Sequence, residues 1–137
     1  MGETQLHLDL VDLLVRYAEW RLRDHAAVAL FADRPSAPRS SKPPPLGGYV
    51  PDVLAVDVPT TTRLIGEAKT AIDLEAPHTV LQLKAFLEHL RLLGGVFVLA
   101  VPWQAGGAGR RLVAEVCKAT GAGGVEVVIL DGLRPWR

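Results

Sequence analysis

"PDVLAVDVPTTTRLIGEAKT", residues 51–70, decides how this chain folds. Two runs rich in β-branched and aliphatic residues, YVPDVLAVDV and TRLIGEAKT, flank the breaker-rich PTTT, a pattern that predicts two strands paired as a hairpin. Inside these runs stand three charged side chains, Asp52, Glu67 and Lys69. Strand side chains alternate between faces, so Glu67 and Lys69 share one. A turn near residues 59–62 that keeps faces matched sets Asp52 opposite one of them. Burial penalises each of these charges unless it is paired or bound to a metal. From the residues alone two answers stay open. One is a structural salt bridge. The other is a site in which two carboxylates hold a hard divalent ion such as Mg²⁺, beside a lysine that positions water or stabilises charge at phosphate.

Upstream, from Gln5 to about His25, the apolar residues Leu6, Leu10, Leu13, Leu14, Tyr17 and Leu22 recur at helical spacing with no interior glycine or proline. AAVALFAD, residues 26–33, either extends that helix or forms a short strand; its position just before a proline cluster favours the strand. RPSAPRSSKPPPLGG, residues 34–48, carries five prolines and three serines and reads as a loop, with Arg34, Arg39 and Lys42 and no acid. Downstream, HTVLQLKAFLEHLRLLGG puts Val80, Leu83, Phe86, Leu87 and Leu90 on one helical face. It starts after Pro77 with a threonine near the cap and stops at a double glycine. VFVLAV then predicts a strand, AGRRLVAEVCKAT a helix and VEVVIL a strand. This order fits a three-layer α/β sandwich around a central mixed sheet, and 137 residues suit one domain.

A hydrophobic fraction of 49% excludes a disordered chain, and the longest apolar run, GGVFVLAVPW, is roughly half of what a membrane-spanning helix needs. The N-terminal MGETQLHLDLVDLL lacks the basic region and cleavage site of a secretory signal, and one cysteine, Cys117, allows no intrachain disulfide. Both features fit a cytoplasmic protein. With 15 basic and 15 acidic residues the formal net charge is zero, so attraction to nucleic acid has to be local. Arg34, Arg39 and Lys42 in the loop supply it, with Arg110 and Arg111 of GGAGRR, a segment that lacks the lysine and serine or threonine of a P-loop.

Pro51-Asp52, a spacer of 14 residues and Glu67-Ala68-Lys69, on adjacent strands after a helix, resemble the PD-(D/E)XK nuclease superfamily. The resemblance implies a restriction-endonuclease-like core of order α-β-β-β-α-β-α-β. It implies that Asp52, Glu67 and the Ala68 carbonyl bind a catalytic Mg²⁺ or Mn²⁺ and that Lys69 organises the attacking water. It also implies a glutamate from the first helix, here Glu19, on a face shared with Val15 and Leu22 that points towards the core, and a polar residue on the helix after the lysine, here Gln82. The basic Pro/Ser loop before Pro51-Asp52 and the small chain are similar in layout to small Holliday-junction resolvases, although zero net charge departs from their basic character. The implied activity is metal-dependent hydrolysis of phosphodiester bonds in DNA, structure-selective in kind, by a homodimer that cuts two strands with two sites. The rival is a non-catalytic module of the same fold that binds nucleic acid or a protein partner within a larger assembly. Asp73, Glu75 and His78 suit either a second metal position or a solvated helix start. His7, His25 and His89 lack zinc-site spacing. Trp103, Trp136 and the tail RPWR suit either a dimer interface or packing on their own domain.

Overall fold

Thr4 opens the first helix: its hydroxyl accepts the His7 N–H at 3.1 Å and caps α1, Gln5–Arg21. The computed structural model describes residues 4–35, 38–57 and 61–132. α1 stops short of the expected His25 because the guanidinium and the backbone N–H of Arg23 both turn back onto the Trp20 carbonyl, ending the helical ladder. The next segment is a strand, as expected: β1, Val28–Ala32. It pairs antiparallel with β2, Val53–Asp57, which pairs antiparallel with β3, Thr61–Ala68. The PTTT turn falls largely outside the described residues, and the RPWR tail with Trp136 lies wholly outside them.

The hairpin is not regular. Its register shifts between Ala55 and Val56, so that Val53 faces Gly66 while Val56 faces Thr62. Arg63 falls at the irregularity, and its guanidinium reaches Asp57 at 2.9 Å. After β3 comes a short separate helix, α2, Ala71–Glu75, held by a capping box in which Thr70 and Asp73 satisfy each other's backbone N–H groups. α3, Pro77–Leu93, begins with proline at its first position. Thr79, expected near the cap, sits inside the first turn and donates its hydroxyl to the Asp73 carbonyl. Leu83, Phe86, Leu87 and Leu90 are buried as expected, whereas Val80 is exposed. β4, Val96–Ala100, α4, Gly106–Thr120, and β5, Glu126–Leu130, complete the chain, with β3, β4 and β5 parallel.

Spatial strand order follows chain order, β1 to β5, and alternation along each strand feeds two cores. Val53, Ala55, Leu64, Val98 and Ala100 face α1, while Leu54, Ile65, Phe97 and Leu99 face α3 and α4. The result is three layers. β4 is buried on both faces, which explains its unbroken apolar run. Among the described residues, no helix is long and apolar enough to cross a membrane.

One glycine sets how closely α1 approaches the sheet. A Cβ on Gly66 would stand 3.1 Å from Leu14 Cδ2 and 3.3 Å from Val53 Cβ, tighter than side chains ordinarily pack. We expect Gly66→Val to lower stability in urea by about 2 kcal/mol through overpacking. Combining it with Leu14→Ala should cost less than the sum of the two single losses. Strict additivity would show that Leu14 does not limit this approach.

Candidate functional site

The hairpin, α1, α3 and β4 meet at one edge of the sheet, where β2 begins and the parallel strands β3, β4 and β5 end. Ligand sites of open α/β sheets lie beyond such carboxyl ends. Asp52 immediately precedes β2, and with Val53 facing Gly66 the next position along the ladder sets it across from Glu67. Each carboxylate accepts a backbone N–H from across the hairpin end. The Asp52 N–H donates to Glu67 Oε1 at 2.9 Å, and the Ala68 N–H donates to Asp52 Oδ2 at 2.8 Å. Lys69 follows the end of β3, with its N–H donating to the Ala100 carbonyl at 3.0 Å. Its ammonium lies 3.4 Å from Glu67 Oε2 and donates to Gln82 Oε1 on the second turn of α3. The hairpin thus brings Asp52, Glu67 and Lys69 together, and α3 adds Gln82.

Both answers posed by the sequence therefore have a physical basis here. Lys69 and Glu67 form an ion pair, but one ammonium stands among two carboxylates. All three groups are buried, Glu67 to 2% exposure. Its carboxyl is pushed well above the ordinary carboxylate range, first by burial and then by the negative charge of Asp52; the Lys69 ammonium pulls the other way without cancelling these effects. Two acids and one ammonium thus share this buried corner.

α1 contributes a residue that the sequence reading set aside. His7 Nε2 lies 3.4 Å from Asp52 Oδ1. Zinc spacing was the wrong signal for it; the Thr4 cap, which places His7 in the first turn of a helix packed across the sheet, was the informative one. Glu19 is corrected by the same geometry. It is exposed, not directed to the core, and the 12 residues separating it from His7 amount to roughly 18 Å along the helix axis. It lines surface hollows with Arg16 and Arg34 and with His25 and Val28, away from Asp52.

Among the described residues, no three His, Cys, Asp or Glu side chains are gathered as a ready metal cage. Mg²⁺ does not require one, since it keeps several waters and is commonly held by one or two carboxylates. Asp52 and Glu67 fit that donor chemistry, each still presenting an oxygen that faces a side chain, Asp52 Oδ1 towards His7 and Glu67 Oε2 towards Lys69. Of the other acids, Asp73 is engaged in the α2 capping box and Glu75 is exposed. His78 packs edge-on against Tyr49, ring centroids 5.4 Å apart.

The expected phosphate-contacting cations are mostly answered by acids from elsewhere in the fold. Arg34 reaches Asp12 on α1 at 3.3 Å, Lys42 approaches Asp33 at 4.0 Å, and Arg110 donates to the buried Asp131 at 2.8 Å. Arg39 and Arg111 are exposed. Trp103, just beyond β4, is also exposed, at 61%. A cavity of about 700 Å³ between α4 and β5 is apolar along Val113, Cys117, Val127 and Ile129 and contains none of the groups described above except Arg110.

The raised Glu67 value fixes a pH dependence. Between the ordinary carboxylate value and the raised one, the folded chain keeps a proton that the unfolded chain has released, so stability falls as pH rises across that window. Comparing thermal unfolding of metal-free wild type and Glu67→Gln from about pH 5 to about pH 8, wild type should lose about 4 °C or more relative to the variant. A constant difference across the range would mean that Glu67 carries no such burden.

Comparison of the chain with protein-family models, with curated proteins and with solved structures finds no match.

Proposed function

We propose that this chain is a divalent-metal-dependent nuclease of the PD-(D/E)XK kind, hydrolysing phosphodiester bonds in DNA. The observation that carries the proposal is the convergence of Asp52, Glu67, Lys69 and Gln82 on one sheet edge, with two buried carboxylates facing a single ammonium. A cation bound between Asp52 and Glu67 supplies Lewis-acid polarisation of a phosphodiester and favours deprotonation of water. The chain's own groups do the rest. Asp52 and Glu67 hold their carboxylates in fixed positions because each is anchored by a backbone N–H across the hairpin end. Lys69, steadied by Gln82, keeps a positive charge where negative charge develops during attack on phosphate. His7 borders Asp52 from the opposite layer and limits how that carboxylate turns.

On duplex or four-way-junction DNA, two cuts call for two sites, which a homodimer supplies. The rival reading, a non-catalytic binding module of a larger assembly, draws on the ion pairs that engage Arg34, Lys42 and Arg110, because they leave less free charge to hold DNA. Function separates the two. Labelled linear, single-stranded and four-way-junction DNAs should be cut with Mg²⁺ or Mn²⁺ and not with chelator, and Lys69→Ala should reduce the rate by about a hundredfold or more. Calorimetry should show Mn²⁺ binding that Asp52→Ala abolishes. Folded wild type that neither binds Mn²⁺ nor cuts any of these DNAs would overturn the nuclease reading and favour the binding module.

A further inference from the structure

A second metal ion at this site would need free carboxylate ligands and negative charge to answer it. In two-metal phosphodiester sites the ions stand about 3.5–4 Å apart. Beside Glu67 Oε2 the place of a cation is already taken, because the Lys69 ammonium lies 3.4 Å from it and donates to Gln82 Oε1. Among the described residues, the other acids near this sheet edge are committed elsewhere. Asp33 stands across from Asp52, its N–H donating to the Asp52 carbonyl at 2.8 Å, but its carboxylate approaches Lys42 at 4.0 Å and so brings a cation with it. Asp73 closes the α2 capping box, and Asp131, just past β5, is held by Arg110 at 2.8 Å. Glu75 is exposed, and Glu19 lies far along α1.

Formal charge sets the count. Asp52, Glu67 and Lys69 together leave one net negative charge in the buried corner. A divalent ion turns this into one net positive charge, which the single negative charge of a phosphodiester cancels. Two divalent ions would leave a large positive excess even with the phosphodiester in place, where uncompensated buried charge is most costly. His7, the remaining neighbour of Asp52, can add positive charge but no negative charge. We infer that the site holds a single divalent ion, with the Lys69 ammonium standing where a two-metal site keeps its second cation. Ion, lysine, two carboxylates and one phosphodiester then form a neutral set. This inference rests on the nuclease reading of the same site and gives it a one-metal mechanism.

The test counts Mn²⁺ by electron paramagnetic resonance, on the chain alone and with a thymidine dinucleotide that carries one phosphodiester. Wild type should bind a single Mn²⁺ per chain in both cases, with the spectrum of an isolated ion. Lys69→Ala removes the competing ammonium and should admit a second, weaker Mn²⁺, whose coupling to the first broadens the spectrum as expected for ions about 3.5–4 Å apart. Lys69→Arg keeps the positive charge and should stay at a single ion. Two coupled ions on wild type, with or without the dinucleotide, would overturn the inference, and so would a folded Lys69→Ala chain that still takes only one. The wild-type count stands by itself, so a variant that fails to fold leaves the inference open to refutation. The two proposals fail separately. Two coupled ions together with metal-dependent cutting remove the single-ion site and leave the nuclease. A single ion without cutting of any DNA keeps the count and removes catalysis, and folded wild type that binds no Mn²⁺ removes both.

Discussion

Everything at the candidate site depends on two backbone-to-carboxylate hydrogen bonds across the hairpin end, from Asp52 N–H to Glu67 and from Ala68 N–H to Asp52. Where a two-stranded ladder ends, backbone N–H groups lose their partners, and buried ones have to find others. Here the orphan N–H of Asp52 is taken by the Glu67 carboxylate and that of Ala68 by the Asp52 carboxylate. The side chains that end the hairpin are therefore the ones that carry charge into the site. Each carboxylate is fixed by one oxygen, which removes the rotational freedom a surface aspartate or glutamate would keep, and the other oxygen faces the site. Rigidity and charge have a single origin.

The hairpin was legible in the sequence because its signals agree at every level. β-branched runs, flanking breakers and period-two alternation all indicate paired strands, and three charges among apolar neighbours mark one end of them. The long third helix was legible from its repeat and its double glycine, where Gly95 at φ +115° leaves no room for a side chain against Leu90 and Thr62. What the sequence obscured depends on competition between local groups. α2 is a single turn fixed by the Thr70 and Asp73 box, too short to show helical periodicity. The register shift beside Arg63 leaves no pattern in apolar residues, because the extra residue is charged and finds Asp57.

The exchange of Glu19 for His7 has a different cause. The first helix has apolar residues on more than one side, so its buried stripe could be drawn through Val15 and Leu22 or through Leu10, Leu14 and Tyr17. Packing against the sheet buries Leu10, Leu14, Tyr17 and, past the helix end, Leu22, and leaves Val15 only partly buried. Gly66 is what lets Leu14 seat there, and that choice of stripe turns Glu19 outward. Position along the helix axis matters as much as phase. A site at the start of β2 meets the first turn of α1, and no residue three turns further on can reach it. A matching motif residue on the correct element is thus insufficient unless its height on that element is also correct.

Elsewhere among the described residues, several charges meet an opposite one. Arg21 answers Glu126 at 2.6 Å, Arg63 answers Asp57 and Arg110 answers Asp131. Exposed pairs such as Arg21–Glu126 are close to neutral contributors at a surface. The hairpin end differs, gathering two carboxylates and one ammonium that are all largely buried, where uncompensated charge is most costly. Were the purpose stability alone, an apolar pair at positions 52 and 67 would fill the same volume without the electrostatic penalty. The backbone N–H groups of Asp52 and Ala68 would then go unanswered, and a charged acceptor answers them more strongly than a neutral one. Two buried carboxylates beside one buried ammonium are the feature on which the proposed cation binding rests.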